Sequence, residues 1–269
     1  MHPLAGLRHR IYRAEKQINA LEGASRRFFE EHPYRIIADE FNSQASRYAL
    51  RVEGGVELPV PFGITVGEIV HNLRAALDGL ICQLLLLPAG GDADVICTES
   101  GFPIRILQPD AKRVGRRRPF AWKSPLIAGL PQPLKARIEG LQPYRRGNGG
   151  QFGPLWSLEE LNNSDKHRVI PVIGTRSGAM ALTPPPGITL RHIRLKIGVP
   201  LKPHAKVGHI GGPLPERILR DMHMYVGVAP QIAFGGSQRT IRRRPVTQTL
   251  RSVGNEVRKI VDLFAGEFP

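Results

Sequence analysis

Three polar residues recur at helical spacing in residues 68–78 and could perform acid–base chemistry. His71, Arg74 and Asp78 occupy positions i, i+3 and i+7, so at about 100° per residue they fall within a stripe roughly 60° wide. An imidazole can donate or accept a proton near neutral pH, and a guanidinium can stabilise the charge of a phosphate. The same spacing also allows an ordinary Arg74–Asp78 ion pair on a helix flank.

A second polar cluster ends another amphipathic segment, residues 158–168. Asp165 falls on the same helical face as Leu158 and Leu161, so packing of this face would bury a carboxylate that needs a partner. Arg74 is the best candidate, because a guanidinium can hydrogen-bond both carboxylate oxygens. If the two segments pack face to face, five polar side chains converge: His71, Arg74, Asn162, Asp165 and His167.

This expected convergence has two interpretations. In the first, the cluster is a structural polar lock between two helices, because structural ion-pair networks resemble active sites. In the second it is catalytic. His71 or His167 would then act as general acid or base, Arg74 would stabilise a pentacoordinate phosphate, and Asp165 would orient the cation or the imidazole.

The chain carries a strong positive charge that is concentrated in short runs. Its 269 residues have a formal net charge of +15 at pH 7, which is typical of proteins that bind a polyanion. An arginine excess caused by genomic base composition is the competing explanation. The candidate binding residues are Arg116, Arg117 and Arg118 of the basic run 112–118 and, from the two polar segments, Asn72, Asp78, Asn162, Asn163, Lys166 and Arg168.

Aromatic residues lie close to these basic runs, namely Phe120, Trp122, Tyr144 and Phe152. Arginine interleaved with aromatic residues is typical of proteins that bind single strands, whose bases stack on the rings. Solvated charge beside scattered aromatic residues is the alternative. We therefore predict RNA or single-stranded nucleic acid as the partner.

Several other chemistries lack their motifs in this sequence. The chain contains no Gly-x-Ser-x-Gly, no Gly-x-x-x-x-Gly-Lys-Ser/Thr and no Gly-x-Gly-x-x-Gly, the motifs of nucleophilic hydrolases and of nucleotide-binding loops. The spacing of its histidines and acidic residues matches no known metal-ligand pattern. We therefore predict no metal and no cofactor.

The sequence predicts a cytoplasmic protein with no membrane segment. The first residues lack the apolar core of a leader, and the most apolar stretch, residues 80–87, is too short to cross a bilayer. Cys82 lies in an apolar helical run and is expected to be a small buried hydrophobe in a reducing compartment. The number of cysteines alone also allows a disulfide with Cys97.

Hydrophobic periodicity and turn signals predict an α+β fold, with a helix-bundle core, an antiparallel β hairpin and an inserted antiparallel β layer. Helices are expected over residues 3–31, 64–87, 131–142, 154–168 and 246–265, a hairpin over 34–54, and strands at 169–173, 188–199, 205–210 and 225–234. Residues 89–130 are expected to be mostly irregular. We predict one compact domain over 1–269, with a β-rich insertion at about 169–240.

The two polar segments resemble known families. The patterns His-Asn-Leu-Arg-x-Ala-Leu-Asp from His71 and Leu-Asn-Asn-x-Asp-Lys-His-Arg from Leu161 resemble a family of uncharacterised bacterial proteins over most of the chain, which implies kinship without an activity. Arg74 also resembles the arginine of the ribonuclease motif of the HEPN superfamily. That family carries a histidine four to six residues later, and here the corresponding position, at or near Gly79, has none.

The HEPN resemblance implies metal-independent RNA cleavage, with the arginine and histidine often supplied by two protomers of a homodimer. In this chain the imidazole would have to come from His71 or His167. An inactive version of such a bundle would bind RNA or another protein. The predicted function is therefore RNA or single-stranded nucleic-acid binding, with cleavage as an extension. The alternative is a non-enzymatic interaction protein in which the Arg74 and Asp165 cluster is a structural lock.

Overall fold

A computed structural model describes residues 2–269 except 45, 55–56, 88–92, 115–116, 118, 123–124, 167, 183–192, 197–198, 213 and 221–225. Its helices are α1 (Ala5–Glu31), α2 (Val60–Leu86), α3 (Ala93–Glu99), α4 (Pro125–Ala128), α5 (Gln132–Gly140), α6 (Pro154–Asp165), α7 (Glu216–Arg220) and α8 (Val246–Leu263), with 3₁₀ segments at Pro143–Phe152 and Ala265–Glu267. The strands are β1 (Arg35–Asn42), β2 (Arg47–Glu53), β3 (Val172–Leu182), β4 (Arg194–Leu195), β5 (Lys206–Gly211) and β6 (Val226–Phe234). The predicted α+β class is confirmed.

The helical core is built around α2. This helix is apolar on most of its circumference, and α1, α6 and α8 all pack against it. A helix that is hydrophobic nearly all round must be covered on several sides, whereas α8 has a single apolar stripe that includes Leu250, Val253 and Val257. Periodicity alone therefore places α2 at the centre and α8 at the periphery.

Two antiparallel sheets flank the helices. A four-stranded sheet has the order β1-β2-β5-β4, and a two-stranded ribbon joins β3 to β6. The N-terminal hairpin is thus continued by β5, which pairs with β2 through Tyr48–Ile210 and Ala49–His209. The predicted insertion of about 169–240 is not a separate layer, because one of its strands completes the sheet begun by the hairpin.

The apolar side chains form two cores of unequal size. The larger lies among the helices and includes Phe234 of the β3–β6 ribbon. The smaller lies under the four-stranded sheet and comprises Ile36, Tyr48, Leu50, Val52, Leu201, Val207, Ile210 and Ile218. Tyr34 packs against both, so the end of α1 and the start of β1 connect them.

The observed elements differ from the predicted ones in several places. Helix α2 begins at Val60 rather than at residue 64, and α7 was not predicted. Of the strand expected over 188–199, residues 188–192 and 197–198 lie outside the described residues, and β4 covers only Arg194–Leu195. Within 89–130, expected to be irregular, α3 and α4 form short helices that are too brief to show a hydrophobic period. The strand expected at 169–173 starts at Val172, since Pro171 has no N–H to donate to the ladder. The helix expected over 154–168 ends at Asp165, and this early end changes the site described below.

Helix α2 is also the one helix of the described chain with the length and hydropathy needed to cross a bilayer. The apolar stretch is therefore longer than the 80–87 expected from sequence. Of its most apolar 18-residue window, 61% is buried inside the protein, and the central helix of a packed core has this same property.

Cys82 on α2 forms a disulfide with Cys97 on α3, with the two Cα atoms 4.8 Å apart. Cys82 is buried, as expected, but it is bonded rather than a free thiol. The disulfide that the number of cysteines allowed is thus the arrangement found. It ties the short α3 to the central helix.

Candidate functional site

Arg74 lies buried between α2 and α6, where every side-chain nitrogen is engaged. Its Nε and Nη2 atoms form two contacts with the Asp78 carboxylate, at 3.1 and 2.9 Å. Nη2 also donates to the carbonyl oxygen of Phe102 at 2.7 Å, and Nη1 donates to Glu159 Oε2 at 3.3 Å. The side chain is only 8% exposed.

Neighbouring groups complete this cluster. The Phe102 N–H donates to Asp78 Oδ1 at 2.8 Å. Asp78 and Arg74 together therefore bind both the backbone N–H and the backbone carbonyl of Phe102. Arg105 Nη1 lies 3.8 Å from the other oxygen of Glu159. The cluster therefore joins α2, α6 and the segment after α3.

The predicted pairing of Arg74 with Asp165 is wrong. Glu159, six residues earlier on α6, takes the place expected for Asp165. Asp165 has the helical phase of Leu158 and Leu161, but α6 ends at Asp165 itself, so the carboxylate lies at the rim of the helix interface and is half-buried. The position of Asp165 in the helical repeat predicted the direction of its side chain, but the end of α6 determines how far that side chain is buried.

Asp165 instead lies in a cleft of about 600 Å³ between α1, α2 and the chain after α6. Its carboxylate sits directly above Gly67, where a Cβ atom would overlap it. His71 lines the same cleft and is exposed, together with Arg13 and Glu68. This cleft brings together an imidazole, two carboxylates and a guanidinium, the groups needed for proton transfer beside an anion.

One side of this cleft is held by a short hydrogen-bonded chain. Asn72 Nδ2 donates to Gln17 Oε1 at 3.1 Å, and Gln17 Nε2 donates to Glu68 Oε2 at 3.0 Å. Asn72, a predicted binding residue, therefore fixes Gln17 and through it a carboxylate at the cleft. It joins α2 to α1 rather than standing free for a ligand.

A larger groove, of about 660 Å³, runs along the other side of α6. It lies between α6, Val114 and Arg117 of the basic run, and the segment before α8. Its lining includes Arg117, Trp156, Glu160, Asn163, Arg168 and Gln238. Three predicted binding residues, Arg117, Asn163 and Arg168, therefore come together, although Arg117 lies more than forty residues before the other two in the sequence.

Arg117 is positioned by an aromatic ring. Its guanidinium carbon lies 5.6 Å from the centroid of Trp156, a cation–π distance. Trp156 itself is only 8% exposed. The ring therefore supports the cation from below and does not offer a free face to a ligand.

Glu160 is the acidic group of this groove. Burial raises the pKa of its carboxyl, and the nearby Trp156 N–H and Arg117 charge oppose this shift only in part. The indole N–H is buried and outside full hydrogen-bonding geometry. The Thr240 hydroxyl donates to Glu160 Oε2.

The remaining predicted residues are distributed as follows. Asn162 and Lys166 form the end of α6, where the Lys166 N–H donates to the Asn162 carbonyl. Arg116, Arg118 and His167 lie outside the described residues. Sequence reasoning missed Glu159, although it is adjacent to the residues considered. It also missed Trp156, Glu160 and Gln238. They line the α6 groove only because Val114 and Arg117, distant in sequence, lie beside them.

The aromatic residues expected to stack bases are mostly part of the core. Phe120 packs edge-on against Trp122 and tilted against Tyr144, and both Phe120 and Tyr144 are buried. Phe152 alone of the four is largely exposed, at 56%. Base stacking on an interleaved aromatic surface is therefore not what these rings provide.

Within the described part of the chain, no group of three or more His, Cys, Asp or Glu side chains is arranged to hold a metal ion. Comparison of the whole chain with models of protein families, with curated proteins and with solved structures finds no match in any of the three. The family resemblances drawn from the two polar segments therefore remain predictions, and function must be argued from the geometry.

Proposed function

We propose that this protein binds RNA or single-stranded nucleic acid in the groove along α6. The observation that carries the proposal is the meeting of Arg117, Arg168 and Asn163 in one open groove, on a chain whose formal net charge is +15. Guanidinium groups bind phosphate oxygens in a forked geometry, and side-chain amides can hydrogen-bond base edges. A groove with both kinds of group suits a strand whose bases are unpaired.

The test is binding of a labelled single-stranded RNA in EDTA at two salt concentrations. Arg117→Glu and Arg168→Glu should each weaken binding and lower the salt dependence, by about 0.7 in the log–log slope for each phosphate of the single strand that is no longer neutralised. Arg217→Glu is the matched control, because Arg217 is exposed on α7 and is not among the residues lining the α6 groove or the cleft of Asp165. Equally weakened binding in all three variants, or no binding by the wild type, would contradict the proposal.

The ribonuclease extension of this proposal assigns acid–base chemistry to His71. Two features support it: Asp165 and Arg13 share the cleft of His71, and this cleft and the α6 groove border adjacent residues, Asp165 and Ser164. A strand in the groove would thus pass the cleft. RNA fragments formed by the wild type in EDTA should disappear in His71→Ala and persist in His9→Ala. Fragments that persist in both variants would refute it.

The alternative is a non-enzymatic interaction protein. The Arg74 cluster supports it, since its arginine is buried among Asp78, Glu159 and Phe102 and is not open to a substrate. In this alternative the wild type neither binds nor cleaves RNA, and the basic residues bind a protein partner or a second copy of the chain. The RNA assay therefore separates the two proposals.

A further inference from the structure

The outward face of the four-stranded sheet carries a second group of cations, away from α6. Cross-strand pairing places Ala49, His209 and Arg194 in one row across β2, β5 and β4. Arg47 lies two residues from Ala49 on β2, and alternate residues of a strand share a face. His209 is therefore flanked by Arg194 directly opposite on β4 and by Arg47 diagonally across on β2.

An irregularity in β5 adds a lysine to this face. The β2–β5 register shifts between Leu50 and Arg51, so that Arg51 pairs with Lys206 and Val207 is left over. Such a bulge re-aims the side chains that precede it. Val207 is buried in the small core, and Lys206 is exposed on the side of His209.

These residues surround a cavity of about 290 Å³. Arg47, Lys206 and His209 line it together with Phe41, Asn42 and Tyr48, and the methyl group of Ala49 forms part of its wall. The small side chain of Ala49 leaves room directly beside the imidazole. The volume suits a tetrahedral oxyanion together with part of the molecule that carries it.

Three cations in or beside this cavity have unused binding capacity. Arg47, Arg194 and Lys206 make no ion pair among the residues that the structure describes. The Nδ1 atom of His209 is buried without a hydrogen-bond partner, while the imidazole as a whole stays partly accessible.

The surroundings of His209 also disfavour its charged form. Burial lowers the pKa of the imidazole, and the charges of Arg47, Lys206, Arg194 and Lys196 lower it further. Arg47 belongs to β2 and Lys206 to β5, while Arg194 lies on β4 and Lys196 directly follows it. An anion among them would offset this repulsion and favour the imidazolium.

We propose that this cavity binds the phosphate group of a ligand, at a site separate from the α6 groove. Arg47 and Lys206 would hold the phosphate oxygens, Arg194 would add charge from the neighbouring strand, and His209 would gain a proton on binding. The phosphate belongs either to a nucleic-acid backbone or to a small phosphorylated molecule, and both present the same oxyanion.

The experiment measures binding of sulfate by calorimetry, with the His209 imidazole followed by NMR. Sulfate is the probe because it mimics phosphate and does not titrate between about pH 5 and pH 8, where histidine does. Arg47→Glu and Lys206→Glu should each weaken sulfate binding by at least about tenfold, since each reverses a charge within contact distance. Arg217→Glu is the matched control, because α7 packs through Ile218 into the core beneath the opposite face.

The pH dependence provides a second readout. Sulfate should bind more tightly as the pH falls through the pKa of His209, and bound sulfate should raise that pKa. His209→Gln should remove this pH dependence while keeping part of the affinity. Non-saturable binding by the wild type, or equal affinity in Arg47→Glu and Arg217→Glu, would overturn the proposal.

A parallel titration with single-stranded RNA identifies the source of the phosphate. Weaker RNA binding in Arg47→Glu, with competition by sulfate, would support a nucleic-acid backbone. Weaker sulfate binding with unchanged RNA affinity would support a small phosphorylated ligand. Because Arg117 and Arg168 are unchanged in these variants, sulfate binding tests the phosphate site even if the RNA-binding proposal fails.

Discussion

Arg74 is of a residue type that often takes part in catalysis, but here its contacts are structural. Its guanidinium is buried with two carboxylates and a carbonyl around it, and removal of one partner leaves the others without compensation. We expect Arg74→Ala to lower the free energy of unfolding by about 3 kcal/mol, the lower end of the range for a buried pair, because Glu159 keeps Arg105 nearby.

Urea unfolding followed by circular dichroism would measure this destabilisation. The matched control is Arg251→Ala, which removes a half-exposed ion pair with Glu22 between α8 and α1 and should cost no more than about 1 kcal/mol. Equal stability of the two variants would show that Arg74 is not a lock, and would make it a candidate catalytic group again.

Glu159 and Glu160 are adjacent in sequence but should respond oppositely to neutralisation. Glu159 is paired with Arg74, so Glu159→Gln should destabilise the fold. Burial raises the pKa of Glu160 above its usual value, which means that the folded protein loses stability as the pH rises through that pKa. Glu160→Gln should therefore stabilise the fold at neutral pH, and unfolding curves at several pH values would measure both effects.

The same substitution tests the role of the α6 groove. The charge of Glu160 appears as the pH rises through its raised pKa, and it then opposes a phosphate backbone at Arg117. Wild-type RNA affinity should fall over this pH interval. Glu160→Gln should bind RNA more tightly at neutral pH and should not show this fall in affinity. An identical pH profile in the two proteins would place the bound strand away from Glu160.

At the scale of elements, the end of α6 is held against α2 by two glycines one turn apart. A Cβ atom at Gly63 would lie 2.5 Å from the Ile170 carbonyl oxygen and 2.7 Å from Val169. Because one of these is backbone, the segment after α6 would have to move. Gly63→Ala should destabilise the protein by about 1–3 kcal/mol, measured as a shift in the urea midpoint.

The control for this prediction is Gly23→Ala in α1. A Cβ atom there would meet only Arg27, at 3.7 Å, so the substitution should gain up to about 1 kcal/mol from helix propensity. The two variants make the same chemical change within long helices. A gain in both would mean that the chain after α6 does not lie close to α2.

The long elements were predictable because their periodicity is strong. Helices α1, α2, α6 and α8 and the hairpin of β1 and β2 all occur where apolar spacing places them. The short α3 was not predictable, since seven residues are too few to show a hydrophobic period. The site was only partly predictable: Arg117, Asn163 and Arg168 were found one by one, but sequence spacing does not show which side of α6 faces which loop.

At the scale of the molecule, the two cores should differ in stability. Among the described residues, the core beneath the four-stranded sheet contains eight buried side chains, far fewer than the core among the helices. Burial of apolar area is the main stabilising term. Native-state hydrogen exchange should show amides of β2 and β5 opening at a lower free energy than those of α2. A single opening free energy for both regions would indicate one cooperative unit.

The pairing of β2 with β5 also has a consequence during synthesis. Arg47 is paired with Gly211, so the ribosome must add well over a hundred residues before the hairpin meets its partner. At about 5–20 residues per second this interval lasts roughly 8–30 s. Throughout it, one edge of β2 has unpaired backbone groups that can join a strand from another nascent chain.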